Sequence, residues 1–504
     1  MRRYLVLLPL FLAAVAFLLP ACTRENPPDP ATVARNALLA ELSDPASLWA
    51  RTLRPETALA DLGHFRDLPL HRVDADYDPQ THVLSGRETI LYTNVGKEKQ
   101  GSIFLTWGGA LWESPGAAQP VALNNLVVNG KTAKFAREKA LIQVWLPSAL
   151  LPGRSVQVAF EFRVQIPAVG VAPGLPPTYG LADETVGLGA ALIYAVSPDK
   201  ELAARFLTRR LVDLHLTHPA GWTLVAGGAM DSPTTRTDGR TQTRLVATHS
   251  PVLFLTNRLP ATSKQTAGGL NLTVHYRTGE ERVAATMLDD MDKGLAALER
   301  VLGPAPRPAF HLLPRRLLNT KAMAMLNGGG LIICDPWLFR ELEPERRFIL
   351  LHELAHAWWG DLVSSDDLQA PAWQQGLADA LAAFAGERVF GAAIPEFARH
   401  RWEEAYRLAR QSGAPDLTLA GPVDPENPVS WTKTAVFFDQ VRKEIGDDAF
   451  FRGLREYAEA RRFTVTVDRG PIEVLLNDPQ YGNRVEALYR RWILETHGDE
   501  DFGL

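Results

Sequence analysis

The chain predicts a multidomain α+β protein, with an all-β region first and a mostly helical region after it. Three observations carry that reading. From His71 to about Thr262, short runs alternate apolar and polar residues between turn signals, the period of half-buried strands. From Glu280 onward the apolar positions recur at spacings of three and four, as at Val283, Met287, Met291, Leu295 and Leu298. A length of 504 residues also exceeds what one hydrophobic core usually serves, so two or three domains are expected. With 46% hydrophobic and 22% charged residues, the composition argues against long disorder. A net charge of −5 provides no basic field for nucleic acid, which is excluded as a partner.

Residues 1–21 read as a lipoprotein signal peptide. Arg2 and Arg3 supply the positive start, Tyr4 to Leu19 the apolar run, and Leu19-Pro20-Ala21-Cys22 the cleavage box. The apolar run is short for a membrane span. Cleavage and lipidation at Cys22 would anchor the protein to a membrane of the bacterial cell envelope. An uncleaved anchor or a secreted chain is the alternative. Thr23 follows the cysteine where Asp would mark inner-membrane retention. By resemblance to lipoproteins of two-membrane bacteria, this points to the periplasmic side of the outer membrane.

Residues 22–66 hold a polar, proline-rich tether and short helical patterns broken by Pro45 and Pro55. Residues 67–262 form the all-β region, with turns at Asp78-Pro79 and Ser85-Gly86 and a hairpin signal at Asn129-Gly130. His71, His82, His215, His218 and His249 are scattered through it without ligand spacing and read as structural or surface residues. Residues 263–504 carry the helices: one over Glu280–Leu302, one from Pro344 to Gly360, one from Pro371 to Phe390, and one opened by the phrase at Trp431. Cys334 sits in an apolar phrase and reads as a packed core thiol, and with Cys22 as the only other cysteine there is no disulfide framework.

The helix from Pro344 to Gly360 holds His352, Glu353 and His356 in the order His-Glu-x-x-His. Residues four apart share a helical face, so two imidazoles at that spacing can bind one tetrahedral metal such as zinc. Glu353 lies one residue on, within reach of an attacking water as general base. The bland alternative is a buried helix with two hydrogen-bonded histidines.

The run from His352 to Val363 (HELAHAWWGDLV) resembles the aminopeptidase N family of zinc metallopeptidases, which includes leukotriene hydrolase. The resemblance covers roughly His71 to Gly498. It implies a saddle-like all-β domain followed by a thermolysin-like, mostly helical catalytic domain, with one zinc per chain and peptides as substrates. The family's third ligand, a glutamate, comes after eighteen intervening residues, a position held here by Gln375 in Trp373-Gln374-Gln375-Gly376-Leu377-Ala378. Asp379, one turn on, is a candidate substitute, although an Asp so placed more often caps or pairs. The family glutamate that binds the substrate α-amine falls on Asn327, or on Ala324 in a shifted alignment. Gly328, Gly329 and Gly330 follow and would let a backbone approach a ligand. The tyrosine that donates to the oxyanion is replaced by Trp431, whose indole N–H can also donate. Ligand, amine anchor and oxyanion donor are thus changed together. The expectation is a zinc-dependent metallopeptidase-like protein that hydrolyses peptide bonds with altered or lost aminopeptidase specificity. Its alternative is a non-catalytic binding or scaffold lipoprotein of the same fold.

Overall fold

The computed structural model describes residues 29–504 apart from 110–121, 169–177, 183, 198, 200–202, 204, 207–208, 318–323, 341–342, 367–372 and 425–426, and describes 324–327 by backbone alone. Cys22, the signal peptide and nearly all of the tether lie outside the described residues. Two short helices, α1 (Pro30–Glu41) and α2 (Ala58–Leu62), lead into the all-β region.

Leu70–Asp78 and Val83–Thr93 pair antiparallel across the Asp78-Pro79 turn, at the centre of a nine-stranded sheet. Leu211–His218 adds parallel to the first and Ser155–Gln165 antiparallel to the second. Along Leu70–Asp78, Val73, Ala75 and Tyr77 point inward and the intervening residues are more exposed, the alternation that marked this stretch as a strand. Asn129 and Gly130 join Ala122–Val128 to Lys131–Thr132 with φ of 47° and 76°, as a two-residue hairpin turn requires. Ser85-Gly86 is not a turn. Both residues lie inside Val83–Thr93, opposite Asp76 and Ala75, where the antiparallel register runs on without a break and the missing Cβ of Gly86 lets the two backbones approach closely.

The second region is built on a five-stranded sheet in the order Ala261–Gln265, Asn271–His275, Ala309–Pro314, Leu331–Cys334, Ala324–Asn327. The strand Ala261–Gln265, which straddles residue 262, already belongs to it. The last two strands run antiparallel, so Gly328–Gly330 are the turn of a hairpin whose outer strand is the sheet edge. The helices α3 (Glu281–Leu302), α4 (Glu345–Ala355), α5 (Gln374–Phe390), α6 (Ala393–Gln411) and α7 (Pro428–Ile445) cover this sheet and one another. Cys334 is buried in the core, as expected. Among the described residues no helix is long and apolar enough to cross a membrane.

Two histidines are packed away from water between the regions and within the sheet. His249 lies against the Gly328–Gly330 turn, and His275 stacks on His311 across adjacent strands with ring centroids 6.2 Å apart. Burial holds His249 down to about 3, helped by the charge of Arg307, and His275 down to about 4, helped by His311. An unfolded chain titrates these rings near 6.5. It therefore binds more protons than the folded chain below that pH, and the stability these rings contribute is full above about pH 7 and falls between about 6.5 and 4. Each should cost roughly 2–3 kcal/mol over that range. Urea midpoints at pH 7.5 and 5.0 should show the loss, and His275→Gln should flatten the difference; equal pH dependence in the variant would refute it.

Candidate metal centre

Helix α4 begins at Glu345, one residue after Pro344, and its regular part ends at Ala355, short of the Gly360 stop that the sequence suggests. Beyond it the bonds change from four residues back to three and five: Trp358 N–H donates to Ala355, Asp361 N–H to His356. Trp358 and Trp359 are fully buried, and this looser turn seats both indoles. On the N-terminal side, Arg347 pairs with Asp290 of α3 at 3.2 Å and fixes α4 against its neighbour.

His352 and His356 meet as their spacing predicts. Their Nε2 atoms are 3.0 Å apart. Each ring's other nitrogen is anchored. His352 Nδ1 donates to Asp379 Oδ1 at 2.6 Å, and His356 Nδ1 to the Trp359 carbonyl at 2.8 Å. Both Nε2 atoms are thereby left to face a common point. Zinc–nitrogen bonds are about 2.0–2.1 Å, so two nitrogens at this separation can bind one ion. Burial and the charge of His352 push His356 down to about 4, against the pull of the Trp359 carbonyl and Gln375, so it stays neutral with its lone pair available. Burial also opposes protonation of His352, but the hydrogen bond and charge of Asp379 outweigh it and raise the pKa. Without metal, one proton shared between the facing Nε2 atoms satisfies both; a divalent cation would take that proton's place.

Gln375 opens α5 and its side chain reaches His356. It can approach because the next residue is glycine. A Cβ on Gly376 would lie 2.1 Å from Thr434 Oγ1, so α5 and α7 pack in near-backbone contact there. Asp379 is not placed as a ligand. One oxygen takes the His352 Nδ1–H and the other the Trp402 Nε1–H at 2.9 Å, so the carboxylate orients an imidazole from behind. Residues four apart on α5 share a face, yet Gln375 reaches the His356 ring and Asp379 the far-side nitrogen of His352.

Glu353 is buried, on the face of α4 toward the Ala324–Cys334 hairpin, and its charge is felt by Cys334 and His352. Trp431 does not precede its helix but lies in the first turn of α7, which Asn427 caps by accepting from Val429 N–H at 3.0 Å. Asn327 ends the edge strand, and its side chain, like that of Ala324, is outside the described residues. The expectation that Gly328, Gly329 and Gly330 admit a ligand is corrected. Gly329 and Gly330 are buried, and a Cβ on Gly329 would fall 2.1 Å from the His249 ring, so these glycines let the hairpin pack on the β region. Only Gly328 is part-exposed. The sequence reading overlooked Trp402, which stands behind His352 and Asp379, and Arg401, which lies between Phe348 and Trp431, since neither has a spacing signal, and it passed over Asp361.

The donor set of two imidazoles and a neutral amide oxygen suits zinc, with less charge than a carboxylate would bring. Among the described residues no three His, Cys, Asp or Glu side chains are grouped to hold a metal.

No protein-family profile matches the chain. Aminopeptidase N of Streptomyces lividans is 28% identical over 162 residues, a stretch that covers 28% of this chain and 18% of that protein. The M1 zinc metallopeptidase of Deinococcus radiodurans superposes with a TM-score of 0.61 at 18% identity, covering 85% of this chain and 94% of that one. A mutant of that enzyme bound to a Tyr-Ser-Ala substrate superposes at 0.62 with 19% identity, over the same shares of the two chains. A two-domain M1 mutant bound to L-tryptophan also scores 0.62, at 18% identity and again over 85% and 94%. The fold is therefore that of the two-domain M1 zinc metallopeptidases, and the chain is aminopeptidase N-like.

The geometry sets a metal test. Purified protein should hold about one zinc per chain by elemental analysis, and His352→Ala should abolish it. Gln375→Glu should tighten binding by restoring an anionic ligand. Unchanged metal content in His352→Ala would place the metal elsewhere.

Proposed function

We propose that this aminopeptidase N-like chain binds one zinc ion through His352, His356 and Gln375 and hydrolyses peptide bonds, without the family's selectivity for free amino termini. The observation that carries this is the convergence of two Nε2 atoms whose partner nitrogens are both anchored. Binding of a Tyr-Ser-Ala substrate by a protein of the same fold supports a peptide as ligand. When bound, zinc would polarise the scissile carbonyl and acidify water. Glu353 would accept the proton of the attacking water and return it to the leaving amine. Asp379 and the Trp359 carbonyl keep both imidazoles in the tautomer that presents Nε2.

A second reading is favoured by one feature, the neutral Gln375 at the third position. A site with that little anionic charge suits a non-catalytic peptide-binding lipoprotein as well. Zinc content combined with a broad peptide screen separates the two. An enzyme loses turnover with Glu353→Ala or a chelator, whereas a binding module keeps its ligand in Glu353→Ala.

For location, we propose a lipidated Cys22 that tethers the protein to the envelope membrane. Mass spectrometry of the mature chain should find lipid on Cys22, and Cys22→Ser should block processing or release the protein. A chain that still begins at Met1, or an unmodified Cys22, would count against it.

Specificity follows from Asn327. An asparagine, or Ala324 in the shifted alignment, cannot pair the charge of an α-ammonium. Charge-assisted hydrogen bonds contribute about 1.5–3 kcal/mol against about 1 for neutral ones, so roughly a tenfold preference for free amino termini is missing. Free and N-acetylated peptides of one sequence should therefore be cleaved at similar kcat/KM; a strong preference for the free amine would refute this.

A further inference from the structure

Arg401 on α6 neighbours Trp402, whose indole holds Asp379. Its guanidinium lies over the Trp431 ring, 4.9 Å from the centroid, and over the Phe348 ring at 5.8 Å. Phe348 is one turn ahead of His352 on α4. The cation thus sits between the metal helix and α7, near enough for its charge to act on His352 and Asp379.

The other arginines around this helix have anionic partners. Arg307 binds Asp361 at 2.7 Å, Arg346 binds Glu343 at 2.8 Å, and Arg347 binds Asp290 at 3.2 Å. Arg401 forms no ion pair among the described residues, and its Nε is buried without a hydrogen-bond partner. Two aromatic rings flank the guanidinium and offset part of its lost hydration. They leave its donor edge uncommitted, and that edge matches a carboxylate in a two-point contact. A methionine or leucine would fill the same space between the rings at no cost in hydration, so packing alone does not account for a cation here.

We infer that Arg401 is the specificity residue of the cleft and receives a carboxylate of the bound peptide, either its C-terminal α-carboxylate or an acidic side chain. The inference rests on the reading of this site as a peptide site. It fits the absence of a carboxylate at position 327: the charged end that the cleft reads is the anionic one.

Binding rather than turnover tests it. Glu353→Gln protein, full chain and zinc-loaded, is titrated calorimetrically with three tripeptides: a free C-terminal acid, its amide, and an amide with an aspartate side chain. At least one carboxylate-bearing peptide should bind about tenfold or more tightly than the neutral amide. Arg401→Gln should erase that preference and leave the neutral peptide's affinity and the zinc content unchanged. Arg401→Lys should keep the charge preference in weakened form and guards against a folding failure in the glutamine variant. Equal affinity for charged and neutral peptides overturns the inference alone. So does a parallel loss for all three in Arg401→Gln. If no peptide binds, the peptide reading falls and takes this inference with it.

Discussion

Asp361 is the charge on which the two regions and the site are hung. Arg307 holds both its oxygens at 2.7 Å, Gly329 N–H donates to Oδ2 at 3.1 Å, and Arg209 donates to its backbone carbonyl. Arg307 also binds Thr248 Oγ1 at 2.8 Å and the Thr52 carbonyl at 3.3 Å. The Phe463 ring lies 5.3 Å from both guanidiniums. Burial alone would raise the pKa of this carboxyl, but the charge of Arg307 holds it below the usual range. One carboxylate thus serves two buried cations, and His249 beside them stays neutral, chiefly through its burial and further through the charge of Arg307. Leaving such a group unpaired costs about 3–5 kcal/mol, enough to threaten a fold of ordinary stability.

The same contacts set the spacing between α4 and the edge hairpin. Asp361 follows His356 by five residues, and Gly329 follows Asn327 by two. The hydrogen bond between them therefore fixes the end of the metal helix relative to the edge hairpin. On its other side α4 is held by the Trp402–Asp379–His352 chain, while Gly376 sets the close approach of α5 to α7. Buried polar bonds thus hold α4 at its end and along its histidine face, and under the proposed reading its imidazoles need little reorganisation to receive a cation.

What the sequence disclosed was local chemistry. His352 and His356 converge because helical periodicity alone brings them together, and the Asn129-Gly130 turn needs nothing beyond its own φ preferences. The misreadings share a different cause. Ser85-Gly86 has turn residues but pairs in register with a strand that the local sequence does not reveal, and the Gly328–Gly330 run looks like a ligand cradle although His249, distant in sequence, fills the space. The early end of α4 depends on where two tryptophans find room. Asp379 lay on the expected face of α5, but only the position of the His352 ring decides which nitrogen it meets. Arg307, which binds Asp361, carries no signal at all, because its partner comes from another element.

The replacements at Gln375 and Asn327, taken together with Arg401, are easier to understand as one change of charge than as separate losses. Under the proposed reading, Gln375 removes a negative ligand, which leaves a bound dication less compensated. Asn327 removes the negative anchor that a substrate ammonium would need. Arg401 adds a cation without an anionic partner among the described residues. Each moves the cleft toward positive potential, and none offsets another. Random decay of a peptidase site would first relax the residues whose only use is catalysis or the orientation of ligands, yet Glu353, the His352–Asp379 bond and the His356–Trp359 bond are all in place. Under the proposed reading, anchored imidazoles in a more positive field describe a site retuned for a different end of the peptide.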